Sequence, residues 1–405
     1  MHIVIFGVRW PPETFIARRL EGLAAAGHRV TVASRSRDDA RRPPNGVRHV
    51  PIEVSPVGLL VRGSVAFVRV LIRSPRRAWA LLLAAGRRTP GGHRIEPVEA
   101  IGRALCFAQV AVLRPDVIHF EWTTTAVECF WLPRALGCPA VVSSHGCDVQ
   151  MTPFSPHGRH VATSYPAVFL TAARIQADSH AVAAAATAFG ALPGKVRVIH
   201  AGVDTEFFKP AARERDPNRF TLLTIATLRW VKGLEYALLT LAELVRRGVP
   251  ATLDILGAIP DWGEPSEEEH VRSTARALGI SERVRIVGFV SEEAVRDRLI
   301  GADALLQASL SEGHPTAVVE AMACGTPVVA TDAGGTAEAI GGGAGILVPV
   351  RDWRAAAEAL ESLWRDPELA AELARRGRGR VEREFTLERH LVAFERFYAE
   401  ALACS

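Results

Sequence analysis

The sequence predicts an α/β protein made of two Rossmann-like, doubly wound parallel-sheet domains facing each other across a cleft, and three observations carry that expectation. Short apolar runs alternate with segments of helical period along most of the chain, which is the pattern of βα units stacked into parallel sheets. The alternation stops once, at a charged, proline-bearing stretch over residues 211–219, and then restarts. With 405 residues and 48% hydrophobic side chains, the chain has the material for two large domains, at a prior of about 150 residues each.

The elements follow in order. Residues 2–8 read as a first buried strand, 13–26 as a helix closed by Gly27, and 28–33 as a second strand. Runs at 116–120, 140–143, 174–177 and 195–199 continue the series, giving a first domain over 1–205. After the linker, strand candidates at 220–226, 251–256, 284–287, 304–308, 327–330 and 345–348 alternate with helices such as 233–247 and 291–300, giving a second domain over 206–385. Ligands of such sheets bind beyond the carboxyl ends of the strands, so the loops there are where chemistry is expected.

Composition narrows the function. Lys and Arg number 48 against 44 Asp and Glu, a formal charge of only +4, so nothing calls for nucleic acid as a partner. Six cysteines are scattered without a C-x-x-C pair, which supports neither a zinc ribbon nor a disulfide framework and fits a reducing, cytoplasmic setting. The start, MHIVIFGV, lacks the basic n-region and cleavage site of a signal peptide. No run reaches the roughly 20 apolar residues that span a bilayer.

The charge is unevenly placed. Residues 54–95 hold eight arginines (Arg62, Arg69, Arg73, Arg76, Arg77, Arg87, Arg88, Arg94) and no acid, with Phe67, Leu71, Trp79 and Leu81 among them. That stretch carries +8, so the rest sums to −4. An arginine-rich amphipathic helix pair of this kind either lies on an anionic membrane surface, at the inner face of the cell membrane, or forms two ordinary surface helices with solvated arginines.

The most informative run is Glu312-Gly313-His314-Pro315-Thr316-Ala317-Val318-Val319-Glu320, continued by Ala-Met-Ala-Cys-Gly-Thr-Pro-Val-Val. Proline suits the first turn of a helix, which leaves Glu312 in the loop ahead of it and Glu320 about a turn and a half inside. Free amides and the positive dipole end then stand between two carboxylates, a combination able to hold phosphate oxygens and sugar hydroxyls.

This run resembles the E-x7-E motif of the retaining glycosyltransferases of the GT-B fold, in particular glycosyltransferase family 4, and similar matches cover nearly the whole chain. The resemblance implies that Glu312 contacts the donor sugar, that Glu320 holds the ribose, and that Gly313, His314, Thr316 and Ala317 line the donor. The stretch 226–238 is similar to the family's strand, loop and helix with a basic pair for the diphosphate. Lys232 stands at the lysine position, while the usual arginine position is Thr227 here; either Arg229, two residues on, reaches the same oxygens from a shifted place, or it is a surface residue and Lys232 acts alone. Val141-Val-Ser-Ser-His145-Gly-Cys-Asp148 resembles the family's H-G-x-D turn, which puts His145 at the cleft near sugar and acceptor. Gly288-Phe289-Val290 follows the strand where relatives hold the nucleobase through backbone groups. Asp178-Ser-His-Ala and residues 195–210 look like the structural stretch before the hinge, and residues 386–405 like the terminal helix that crosses back onto the first domain.

The loop 7–15 lacks the pair of glycines that many relatives place near the phosphates. The chain also has no D-x-D, no complete P-loop and no G-x-G-x-x-G after the first strand, so aspartate-held metal, nucleotide kinase and NAD chemistry lose support. The resemblance therefore implies a retaining transferase that needs no cofactor or metal. It would move a sugar from a nucleoside-diphosphate donor to a carbohydrate or lipid-linked acceptor in envelope or exopolysaccharide synthesis. A natural-product glycosyltransferase, a UDP-sugar epimerase of the same architecture and a non-catalytic nucleotide-binding relative stand beside it.

Overall fold

Valine-, isoleucine- and leucine-rich runs of three to six residues form the strands, as expected where both faces of a parallel sheet are covered. The computed structural model describes residues 1–405 apart from 36–41, 87–94, 157, 214, 215, 217, 260–265 and 405. The chain divides into two compact units, Met1–His200 with His390–Ser405, and Ala201–Arg389.

In the first unit β1 (His2–Phe6), β2 (Arg29–Ser34), β3 (Arg48–Pro51), β4 (Val117–Phe120), β5 (Ala140–Ser144), β6 (Arg174–Ala177) and β7 (Val196–Val198) form a seven-stranded sheet. Its order is β3-β2-β1-β4-β5-β6-β7, parallel throughout. The order reverses between β1 and β4, the switch point at which the loops part to opposite faces and leave room for a ligand. The last helix, Leu387–Leu402, sends Phe394, Phe397, Tyr398 and Ala401 into the core beside Ile3, Ile5, Ile16 and Leu20.

In the second unit β8 (Phe220–Ile225), β9 (Ala251–Leu256), β10 (Val284–Gly288), β11 (Ala304–Gln307), β12 (Val328–Thr331) and β13 (Ile346–Val348) form a six-stranded parallel sheet, ordered β10-β9-β8-β11-β12-β13. Its switch point lies between β8 and β11. Both units are thus doubly wound α/β folds, as the sequence predicts.

Two details differ from the sequence expectation. The strand expected over 2–8 ends at Phe6, because Gly7 turns the chain at φ +96°. β3 was not foreseen, because Arg48-His-Val-Pro is a half-exposed edge strand whose proline and charge hide it from any apolar pattern. The arginine-rich stretch is helical at Pro56–Gly58, widens into a π-type turn at Leu59–Gly63 and continues as Ser64–Arg73 and Pro75–Ala85. Its Arg87, Arg88 and Arg94 lie outside the described residues.

Candidate active site

In the second unit two loops leave the carboxyl ends of the adjacent strands β8 and β11. The first closes as a tight turn, Trp230–Lys232, before the helix Leu234–Arg246. The second, Ala308–Pro315, leads into the helix Thr316–Ala323. They are locked together by the Leu310 amide, which donates to the Val231 carbonyl at 2.8 Å, and by Gly233. Gly233 sits at φ +61°, and a Cβ there would come within 2.0 Å of the Ala308 carbonyl oxygen. No side chain fits without pushing the loops apart. Gly233→Ala should therefore lower stability by about 3 kcal/mol through strain and overpacking, measured by urea unfolding.

The close approach carries Lys232 to Glu312. Lys232 Nζ donates to Glu312 Oε1 at 2.8 Å and lies 3.0 Å from Oε2. Oε1 also accepts from Ser309 Oγ at 2.6 Å and from Gln307 Nε2 at 2.9 Å. Burial by itself would raise the Glu312 carboxyl, but the Lys232 charge and these hydrogen bonds outweigh it and hold the group below the usual carboxylate range. Glu312 is thus an ionised acceptor and not a proton donor. Three donors fill Oε1, while Oε2 takes only the lysine among the described residues, which leaves it lone-pair capacity for a hydroxyl. Lys232 remains 22% exposed, so its charge also reaches solvent.

Beyond Glu312 the helix Thr316–Ala323 begins at Pro315, and the first-turn amides of Thr316 and Ala317 have no acceptor within the helix. Glu320 is half-buried on that helix, and Gly313 is half-buried before it. His314 is buried edge-on to Phe385, with ring centroids 5.2 Å apart. Arg229 is half-buried at the entrance of the Trp230–Lys232 turn, and Thr227 is exposed. Val290 is half-buried just past β10, where the Gly288 carbonyl accepts from the Gly257 amide at 2.9 Å.

The first unit holds a second cluster, on three neighbouring strand ends. Glu121 follows β4, His145 follows β5 and Asp178 follows β6. His145 Nδ1 lies 2.7 Å from Asp178 Oδ2, and Nε2 lies 3.2 Å from Glu121 Oε1. Glu121 also pairs with Arg19 of the helix Thr14–Ala25, whose guanidinium sits 4.5 Å over the Phe394 ring. Burial would push the His145 imidazole down, yet the two carboxylates raise it well above its ordinary value. Burial would raise Glu121, but Arg19 and His145 keep it below the usual range. His119 beside them bonds Ser143 Oγ and Tyr398 OH, each at 2.8 Å, and burial pushes it down to about 3. His145 is a cation in a buried network, with both ring nitrogens engaged and 7% of its surface exposed.

Of the residues singled out from sequence, the structure brings Lys232 and Glu312 into contact and places Glu320, Thr316 and Ala317 on the helix that follows. Sequence reasoning passed over Gln307 and Ser309, which fix Glu312, and over Glu121 and Arg19, which fix His145. It read Asp178 as structural, whereas Asp178 bonds His145 directly. The signal for Glu121 was available, since an acid directly after a buried strand stands where ligands of parallel sheets bind.

Known families match the chain in two adjoining stretches. Residues 87–207 match the family model described as Glycosyltransferase Family 4, and residues 205–380 match Glycosyl transferases group 1. D-inositol 3-phosphate glycosyltransferase 2 of Catenulispora acidiphila is 35% identical over 40% of this chain and 41% of its own length. The first curated relatives are thus matched over about half of their length, between 41% and 64%. A WcaL protein of Salmonella typhimurium, named for colanic acid biosynthesis, is 26% identical over 95% of this chain and 96% of its own. Among solved structures, the sucrose-phosphate synthase of Thermosynechococcus elongatus has TM-score 0.78 at 19% identity, covering 100% of both chains. HepE of Anabaena with UDP-glucose has TM-score 0.74 at 17% identity over 98% of this chain and 100% of that one. Two doubly wound units and two adjoining family matches that together run from residue 87 to residue 380 lead to one conclusion: the chain carries glycosyltransferase domains, a family 4 stretch followed by a group 1 stretch, in the two-sheet GT-B fold.

Proposed function

We propose that this protein transfers a sugar from a nucleoside-diphosphate sugar to an acceptor hydroxyl, with retention at the anomeric carbon and without a metal. The observation that carries the reading is Lys232 held against the ionised Glu312 at the switch point of the second sheet, directly ahead of a helix N-terminus. Breaking a sugar–phosphate bond leaves negative charge on the departing diphosphate, and catalysis comes from cations and amides already aimed at it. Lys232, Arg229 and the amides of Gly313, His314, Thr316 and Ala317 supply that charge. Glu312 Oε2 accepts a sugar hydroxyl, Glu320 accepts the ribose hydroxyls, and the backbone at Val290 meets the base. No side chain here is needed as a nucleophile or a base: the acceptor hydroxyl attacks the anomeric carbon of a short-lived ion pair on the face from which the diphosphate departs, and the departing phosphate takes its proton. His145 stabilises charge on the acceptor side and does not act as a base, since both its nitrogens are already engaged.

The UDP and UDP-glucose named with the Anabaena HepE structures support a nucleotide-sugar donor. The acceptor is a carbohydrate or a lipid-linked intermediate of envelope or exopolysaccharide synthesis, made at the inner face of the membrane. The WcaL relative, similar along nearly the whole chain, favours this over a small polyol acceptor of the inositol phosphate kind.

Incubating the protein with UDP- and GDP-sugars, in EDTA, should release free nucleoside diphosphate at a rate raised by acceptor. Isomerised sugar nucleotide without acceptor would mark an epimerase. No turnover of any donor, with UDP and GDP still bound, would mark a non-catalytic relative.

A further inference from the structure

The arginine-rich segment has two apolar faces, and the core uses only one. Ala66 and Val70, then Ala78, Leu81 and Ala85, turn inward, where they join the core cluster that holds Ala104 and Ala108 of the helix Pro97–Ala111. Val57, Val61, Val65, Val68 and Ile72 recur at helical spacing on the opposite side, and all are exposed, Val57 at 73% and Ile72 at 76%. Trp79 and Leu83 extend the patch along the next helix, Leu83 at 71% exposure. Arg69 and Arg73 flank this stripe, and Arg76 and Arg77 open the next helix. Among the described residues none of these four is in an ion pair, whereas Arg62 is tied to Glu53 at 2.9 Å. No helix among the described residues is long and apolar enough to cross a membrane.

We propose that the stripe Val57–Val61–Val65–Val68–Ile72, with Trp79 and Leu83, lies flat in the interface of an anionic lipid bilayer while Arg69, Arg73, Arg76 and Arg77 meet the lipid phosphates. A solvent-facing stripe of aliphatic residues beside unpaired arginines suits that environment: the apolar side chains enter the acyl boundary and the guanidiniums stay at headgroup depth. Charge argues against a second copy of the chain as the occupant. An isologous contact would face these arginines with one another, and residues 54–86 contain no acid to neutralise them. The inference extends the proposed lipid-linked acceptor but does not depend on sugar transfer.

The test is sedimentation of the full-length protein with vesicles of phosphatidylglycerol and phosphatidylcholine, compared with phosphatidylcholine alone. Wild type should bind the anionic vesicles at least about 10-fold more tightly, and lose most of that in 0.5 M salt. Ile72→Ser/Val68→Ser and Arg69→Gln/Arg73→Gln should each weaken binding about 10-fold or more. Their side chains are exposed, so circular dichroism should show an unchanged fold. Brominated lipid should quench wild type more than Trp79→Phe. Equal binding to both vesicle types, no binding, or variants that bind like wild type would overturn the proposal. So would a dimer in size-exclusion chromatography that Ile72→Ser/Val68→Ser dissolves. The donor assignment would survive any of these, because it is read by nucleotide release in solution.

Discussion

Lys232→Ala should lower kcat for sugar transfer about 100- to 1000-fold, the loss expected when one preorganised donor to a developing anion is removed. Lys232 reaches Glu312 through both carboxylate oxygens and still presents 22% of its side chain to solvent, so the same ammonium can hold the acid and meet a diphosphate. Its removal has a second effect. Glu312 is then buried with Ser309 and Gln307 as its remaining donors, and burial drives the carboxyl upward, so the variant should also lose about 3 kcal/mol of stability. The double variant Lys232→Met/Glu312→Gln removes both charges at once and separates the two effects. It should unfold in urea close to wild type yet remain inactive. Wild-type turnover in a folded Lys232→Ala protein would remove Lys232 from the mechanism.

Asp178→Asn should produce the other large change, and one that depends on pH. Asp178 and Glu121 raise His145 in the folded state, so their contribution to stability is complete below the ordinary imidazole value of about 6.5 and is lost as pH rises through the folded value. The variant should therefore be about 3 kcal/mol less stable than wild type at pH 6, with the gap narrowing as pH rises through the folded His145 value. Other groups around His145 also titrate. Arg19 stays charged, His119 and His390 are held neutral by burial, and burial raises Asp148 to about 7. Comparing the variant with wild type at each pH cancels their background. His145 ring resonances should titrate at lower pH in Asp178→Asn, with Asp178→Glu restoring part of the shift. An unchanged His145 titration would show that Asp178 does not set its charge.

How far the sequence alone reached can be read from these same residues. The parallel sheets were legible because strands buried on both faces leave apolar runs that alternate with helical period, and the edge strand Arg48–Pro51 was missed because it has no such run. Lys232, Glu312 and Glu320 were legible because they sit in local motifs beside the glycine and proline that their turns need. Gln307 and Ser309 were not, since a glutamine and a serine near a strand end look ordinary until the chain folds them onto Glu312. Glu121 and Asp178 flank His145 in space only because β4, β5 and β6 are neighbours in the sheet, although 24 and 33 residues separate them from it in the chain.

The sequence by itself determined the two-sheet class, the motif residues of the second unit and the excess charge of residues 54–95, because each is written in local pattern or composition. Only the tertiary structure decided that His145 is a cation, that Glu312 is pinned by four contacts, and that the arginine-rich helices turn a second apolar face to solvent. Charge state and exposure depend on which distant groups share a buried space, and no local stretch of sequence contains that information.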